Sequence, residues 1–159
     1  MAFEKARAYL ETKGLANRII ITEQSSATVA EAAEAIGCKP EMIAKTLSFM
    51  IGECPVLILT DGVARIDNRK FKNTFGCKAR MIPPELVDRL VGHEIGGVCP
   101  FGVNSGVTVY LDESLKNHTV VYPAAGNDHS GVQLSIAELE ACSGYKEWIN
   151  VSRDLEEEI

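Results

Sequence analysis

The chain has 159 residues, 46% hydrophobic and 24% charged, with a formal net charge of −6. That length suits one domain with a substantial core and no covalent staples, and the acidic balance disfavours indiscriminate nucleic-acid binding. No apolar run approaches the roughly 20 residues of a membrane span, and the N-terminal MAFEKARAYLETKG lacks the apolar core of a signal peptide, so a cytoplasmic location is expected.

Helix and strand signals alternate along the chain. Residues 3–13 read as a helix with Phe3, Ala6 and Leu10 on one face and Gly14 as its stop. Arg18–Thr22 reads as a strand. Thr28-Val29-Ala30-Glu31 is a capping-box pattern opening a helix that closes at Gly37. Pro40 suits the first turn of a second short helix running to about Ala44. Lys45–Met50 and Pro55–Thr60 follow as strands around Gly52, and Asp61-Gly62 marks another hairpin turn. Asp67 can cap a basic helix through Phe75, ended by Gly76, and Pro83-Pro84 opens a helix with Leu86 and Leu90 on its inner face. Thr108–Leu111, Thr119–Tyr122 and Val132–Leu134 read as strands, and Ser135-Ile136-Ala137-Glu138 as a capping box for a helix to about Cys142. Tight turns between several strands favour a mixed sheet with packed helices over a purely parallel doubly wound one.

Five cysteines, at 38, 54, 77, 99 and 142, stand singly, which argues against a disulfide framework and a structural zinc site and for reduced thiols. His93, His118 and His129 show no metal-ligand spacing, and neither a nucleophile elbow nor a phosphate loop is present. Charge is unevenly spread. Arg65, Arg69, Lys70, Lys72, Lys78 and Arg80 face only Asp67 between residues 65 and 80, so this window is +5 and the remainder, including Asp154 and Glu156–Glu158, is −11. Such an island can guide a polyanion, or it is a solvated helix face.

Gly96-Gly97-Val98-Cys99-Pro100-Phe101-Gly102 concentrates three glycines and a proline in seven residues. Such a loop can aim bare backbone N–H groups at an oxygen that gains negative charge. A side chain at Gly97 is expected to clash with a bound ligand or to force φ out of the positive region. Cys99 lacks an identifiable base, which favours a structural thiol. Lys45, at a helix–strand junction, either complements a helix C-terminus or reaches into a cleft to hold a phosphate or carbonyl oxygen. His129, in a small polar loop, is a candidate for orienting a substrate.

Four segments in order, TVAEAAEAIG (28–37), IAKTL (43–47), GGVCPFG (96–102) and VYLDESL (109–115), resemble the YbaK / prolyl-tRNA-synthetase-associated domain family over about residues 25–140. The resemblance implies an α+β (mixed α/β) fold, one domain over 1–159 with a mixed, partly barrel-like sheet packed by helices. It further implies a free-standing aminoacyl-tRNA deacylase that cleaves the ester of a mischarged tRNA, with tRNA(Pro) carrying Ala, Cys or another small amino acid as the expected substrate. Prolyl-tRNA synthetase is the expected transient partner; DNA, a membrane, a metal and a cofactor are not expected. By the same resemblance Lys45 anchors the tRNA 3′ end, while Gly96, Gly97, Val98 and Pro100 form the loop that holds the carbonyl. Water or a substrate group attacks, without a protein nucleophile. Thr46, Phe101, Gly102, Gly126, Asn127 and His129 are expected around the substrate, and Arg69, Lys70 and Lys72 against the tRNA. The alternatives are a non-catalytic RNA- or partner-binding module of this fold, or a hydrolase of small acyl metabolites.

Overall fold

The computed structural model describes residues 2–153; the acidic tail, Asp154 and Glu156–Glu158, lies outside the described residues. The first helix, α1 (Ala2–Thr12), buries Ala6 and Leu10 and leads through a 3-10 turn to β1 (Ile19–Ile21). Helix α2 (Val29–Ile36) starts at Thr28, whose hydroxyl oxygen accepts from the Glu31 N–H, and ends at Gly37 in the left-handed region. The Thr28 hydroxyl in turn donates to the Glu31 carboxylate at 3.2 Å.

The central hairpin is β2 (Ala44–Ile51) and β3 (Cys54–Asp61), antiparallel with Lys45 opposite Thr60. After it come β4 (Arg65–Ile66), α3 (Asn68–Phe75, capped by Asp67), α4 (Pro84–Val91) and β5 (Thr108–Asp112). The remaining elements are β6 (Val120–Val121), β7 (Ser130–Val132), β8 (Leu134–Ser135), α5 (Ile136–Cys142), β9 (Trp148–Ile149) and β10 (Ser152–Arg153). The main sheet runs β2-β3-β5-β9, with β3–β5 and β5–β9 parallel, so it is mixed; β1–β7, β4–β10 and β6–β8 form antiparallel pairs. Alternation along β3 divides the core. Leu57 and Leu59 pack with buried residues of α1, α4 and α5, while Val56 and Ile58 pack with Phe49 and with Phe71 of α3.

Several expectations are corrected. The Pro40 segment is a single 3-10 turn, Pro40–Met42, and Ala44 already belongs to β2. Asp61-Gly62 does not make a hairpin: β3 pairs with distant β5, and β4 pairs with β10. Gly62 is needed for close approach, since a Cβ there would lie 2.1 Å from the Pro40 carbonyl oxygen. On α4 the buried residues are Val87 and Val91, with Leu86 and Leu90 only partly covered. Val132–Leu134 is divided between β7 and β8, which have different partners. Strands β4, β9 and β10 escape the reading because each is two residues long, too short for alternation to register. What holds the segment entering β10 is the fully buried Asp112, whose carboxylate accepts from the N–H groups of Ser114 and Val151 and from the Ser152 hydroxyl.

At α5 the capping box forms in full, with the Glu138 N–H donating to Ser135 Oγ and the Ser135 N–H to Glu138 Oε1; Arg18 makes a two-pronged contact with the same carboxylate at 2.9 and 2.8 Å. Ser135→Ala is expected to lower unfolding free energy by about 1 kcal/mol, read as an earlier denaturant midpoint with unchanged slope.

Candidate functional site

The site arises where the β2 edge loses its neighbours. In an antiparallel pair alternate residues turn their peptide groups away from the partner strand. On β2 these are the even-numbered residues: the Ala44 N–H donates to the Tyr122 carbonyl, the Ser48 carbonyl accepts from Ile82, and the Met50 N–H donates to Arg80. Short bridges, Ile43 with Tyr122 and Phe49 with Met81, thus cover the two ends of the strand. Thr46 lies between them, its N–H and C=O facing the gap and its buried Oγ1 without a partner among the described residues. A cavity of about 230 Å³ occupies this gap. The start of α2 forms one wall, the glycine loop through Ile95, Gly96 and Val98 another, and Ala124 and Ser130 close it.

Lys45 belongs to this lining and is half-buried. Its Nζ donates to the Ala64 carbonyl oxygen at 2.5 Å. Burial holds its pKa below that of a free lysine, with nearby Asp61 acting against this and Arg65 with it. The turn that presents Ala64 is organised by Asp61, which accepts from the Val63 N–H and contacts His118 Nε2 at 2.6 Å. An ammonium has three protons to donate, so this hydrogen bond leaves two for a ligand.

The glycine loop is partitioned. Gly96 (φ +95°) and Gly102 (φ +69°) occupy the left-handed region, whereas Gly97 does not. Gly97 is required for another reason: a Cβ there would lie 2.4 Å from the Asn127 nitrogen and 2.6 Å from the Gly126 carbonyl carbon. Its N–H is engaged with the Glu94 carbonyl at 3.0 Å. Gly96 and Val98 line the cavity beside Lys45, while Gly97, Gly126 and Asn127 line a second one of about 520 Å³ that also touches Lys5, Glu94 and Asp128.

Pro100 and Phe101 are buried, with Phe101 packed on Tyr9, and a Cβ at Gly102 would strike the Lys5 carbonyl. His129 is exposed, lines neither cavity and pairs with Asp128 at 2.7 Å. Thr46, Gly96 and Val98 therefore meet Lys45 at the cavity; Phe101, Gly102, Gly126, Asn127 and His129 lie outside its lining.

Cys99 has a histidine neighbour that spacing did not reveal, His93, with Sγ 3.6 Å from Nε2. Both side chains are buried in the core. Burial pushes the thiol up to about 12 and the imidazole below its usual value. Such a thiol stays protonated at neutral pH and is a poor nucleophile. Sequence reasoning also missed Ser26, Met81, Ile95, Ala124 and Ser130, which line the cavity from segments without a recognisable motif. Ser26 and Ser130 are knitted together, the Ser130 N–H donating to Ser26 Oγ and the Ser130 hydroxyl to Asn127 Oδ1.

In the basic window, Arg69, Lys72 and Lys78 surround a depression of about 530 Å³ beside α3, whereas the Lys70 ammonium donates to the Ser152 carbonyl. The window ends at Arg80, next to the cavity-lining Met81. Among the described residues no cluster of His, Cys, Asp and Glu could hold a metal ion, and no helix is long and apolar enough to cross a membrane.

Comparison with known proteins bears on this geometry. A family model described as an aminoacyl-tRNA editing domain matches residues 23–142. The chain is 45% identical over 157 residues to the "Uncharacterized protein YwhH" of Bacillus subtilis, covering 98% of this chain and 100% of that one. It is 29% identical over 105 residues to a proline–tRNA ligase of Geobacillus sp., covering 65% of this chain and 18% of the ligase. A crystal structure described as a candidate trans-editing enzyme for prolyl tRNA synthetase superposes with a TM-score of 0.85 at 31% identity, covering 96% of this chain and 97% of that one.

Proposed function

Because the chain belongs to the aminoacyl-tRNA editing domain family, we propose that it is a deacylase acting in trans, hydrolysing the ester between a wrong amino acid and its tRNA. The observation that carries the reading is the cavity at the break in the β2 edge, where a half-buried lysine meets the glycine loop. Lys45 holds the ribose or phosphate at the tRNA 3′ end. The N–H groups of Gly96 and Val98 receive the carbonyl oxygen as it becomes an oxyanion, while Gly97, whose N–H is spent on Glu94, props the loop against Asn127. Water adds to the carbonyl carbon, the C–O bond to the ribose breaks, and the ribose oxygen leaves with a proton. The Ser26 hydroxyl is bonded to Ser130 backbone and the Ser130 hydroxyl to Asn127, neither to a base, which supports water over a serine as the attacking group. Positioning of an activated ester beside preorganised donors supplies the acceleration.

Val29, Ala32, Ile43 and Ala124 give the lining an apolar part, which suits a short aliphatic acyl group. Likeness to a proline–tRNA ligase and to a candidate trans-editing enzyme for prolyl tRNA synthetase supports tRNA(Pro) as the carrier and the synthetase as a transient partner. We take 1–159 as one such domain. The test is a panel of tRNA(Pro) charged with Ala, Cys or Ser. Release of label from at least one, at catalytic protein concentration, is the expected result. Saturable binding without release would make the protein a binding module, and turnover of free esters without tRNA would make it a metabolite hydrolase.

The basic face of α3 is proposed to receive the acceptor stem. Replacing Arg69, Lys72 and Lys78 by Glu is expected to raise KM with kcat largely kept. The salt dependence of binding should fall by about one unit of slope per lost contact. Lys70 is left in place because its ammonium secures the Ser152 strand. An unaltered KM and salt slope would make the island a solvated face.

A further inference from the structure

Among the described residues the large apolar side chains left open to solvent are Ile21, Met81 and Ile95. Single exposed apolar residues are ordinary. Two of these three, however, line one cavity from segments 14 residues apart, Ile95 standing also on the second, larger cavity. Met81 is 55% exposed and Ile95 61%, although each touches the cavity lining. Met81 is fixed by its bridge to Phe49 across the β2 edge, and Ile95 by the Glu94–Gly97 turn that follows α4. Their backbones are thus held while their side chains remain uncovered.

The size of the cavity identifies what would cover them. About 230 Å³ is below the roughly 300–1,000 Å³ that encloses a whole drug-sized ligand. An acyl group and its ester fit inside, but the nucleoside carrying that ester does not, so its base must lie at the mouth. Resting on the deacylase reading above, we propose that Met81 and Ile95 form an apolar clamp for the base of the terminal nucleotide, the adenine at the tRNA 3′ end. Planar bases taken out of a stack are commonly received between apolar or aromatic side chains. Such contact requires no hydrogen-bond code, because every base has an apolar face.

The test compares 3′-alanylamino-3′-deoxyadenosine, whose amide cannot be hydrolysed as an ester, with the same alanylamino sugar lacking the base. Binding of both is measured for the wild-type protein and for the double variant Met81→Ser, Ile95→Ser, alongside deacylation of the tRNA panel. The wild type is expected to prefer the base-bearing compound by about tenfold or more, the scale of a few apolar contacts. The double variant should lose that preference and bind both as the wild type binds the abasic compound, with KM on aminoacyl-tRNA raised and kcat kept. Both positions are exposed, so an unchanged thermal midpoint is expected and separates loss of the clamp from loss of the fold. A double variant that keeps the preference, or a wild type that deacylates tRNA but ignores the base, overturns the clamp and leaves the deacylase reading intact. Neither binding nor deacylation by the wild type overturns both.

Discussion

Lys45→Ala is expected to reduce deacylation of a mischarged tRNA by about 100- to 1,000-fold or more while the protein stays folded. The wild-type ammonium is held by the Ala64 carbonyl, next to a turn locked by Asp61 and His118. It therefore meets the substrate without first having to be ordered. Removing this lysine leaves the carbonyl of the fully buried Ala64 without its donor, so a stability loss of about 1–3 kcal/mol is expected beside the loss of activity. Lys45→Arg is not expected to rescue, since a planar guanidinium cannot reproduce a point donor in a cavity of this size. The pH dependence has a definite sign. Burial lowers the lysine pKa, so activity over the spontaneous rate falls as pH rises through a value below that of a free lysine. Single-turnover deacylation across pH checks both statements; full activity of the alanine variant would remove Lys45 from the mechanism.

The second large effect is expected at Gly97. A Cβ at this position would sit 2.4–2.6 Å from the backbone of Gly126 and Asn127, and a backbone cannot give way as a flexible side chain can. Gly97→Val should displace the loop that carries Gly96 and Val98 and lower activity by about 100-fold or more, the cost of losing one preorganised donor. The thermal midpoint should fall as well, so Gly97→Ala is measured beside it as the smaller wedge. Pro100→Ala, which frees φ in the same loop, is expected to lose activity too. Cys99→Ala should retain most activity, because its thiol is fully buried, pushed up to about 12 and bonded toward the Phe101 carbonyl. A dead Cys99→Ala beside an active Gly97→Val, assayed on one mischarged tRNA, would instead establish a thiol nucleophile.

The need for glycine at 97 was legible; its cause was not. Positive φ is a local property, and it applies to Gly96 and Gly102. At Gly97 the constraint comes from a segment 30 residues away that sequence spacing cannot bring into contact. Asp61-Gly62 makes the same point, since the dipeptide carries a hairpin signal while Gly62 serves a close approach to Pro40. Lys45 was recognisable at its junction, but its partner Ala64 and the pull of Asp61 depend on how the turn after β3 folds back.

What the sequence determined by itself are features whose energetics are local. The capped starts of α2, α3 and α5, the left-handed glycine ends of α2 and α3, and the hairpin about Gly52 each rest on residues within a few positions of one another. Its four ordered motifs were likewise enough to identify the family that the match over 23–142 shows. Tertiary structure alone decided which distant strands became neighbours, and hence where β2 lost one. Pairing of β3 with β5 and of β4 with β10 joins segments about 50 and 90 residues apart, through two-residue strands and a buried aspartate that carry no periodic signal. The gap at Thr46, the cavity beside Lys45 and the uncovered Met81 and Ile95 all follow from that long-range pairing, because an unpaired strand edge exists only relative to the whole sheet.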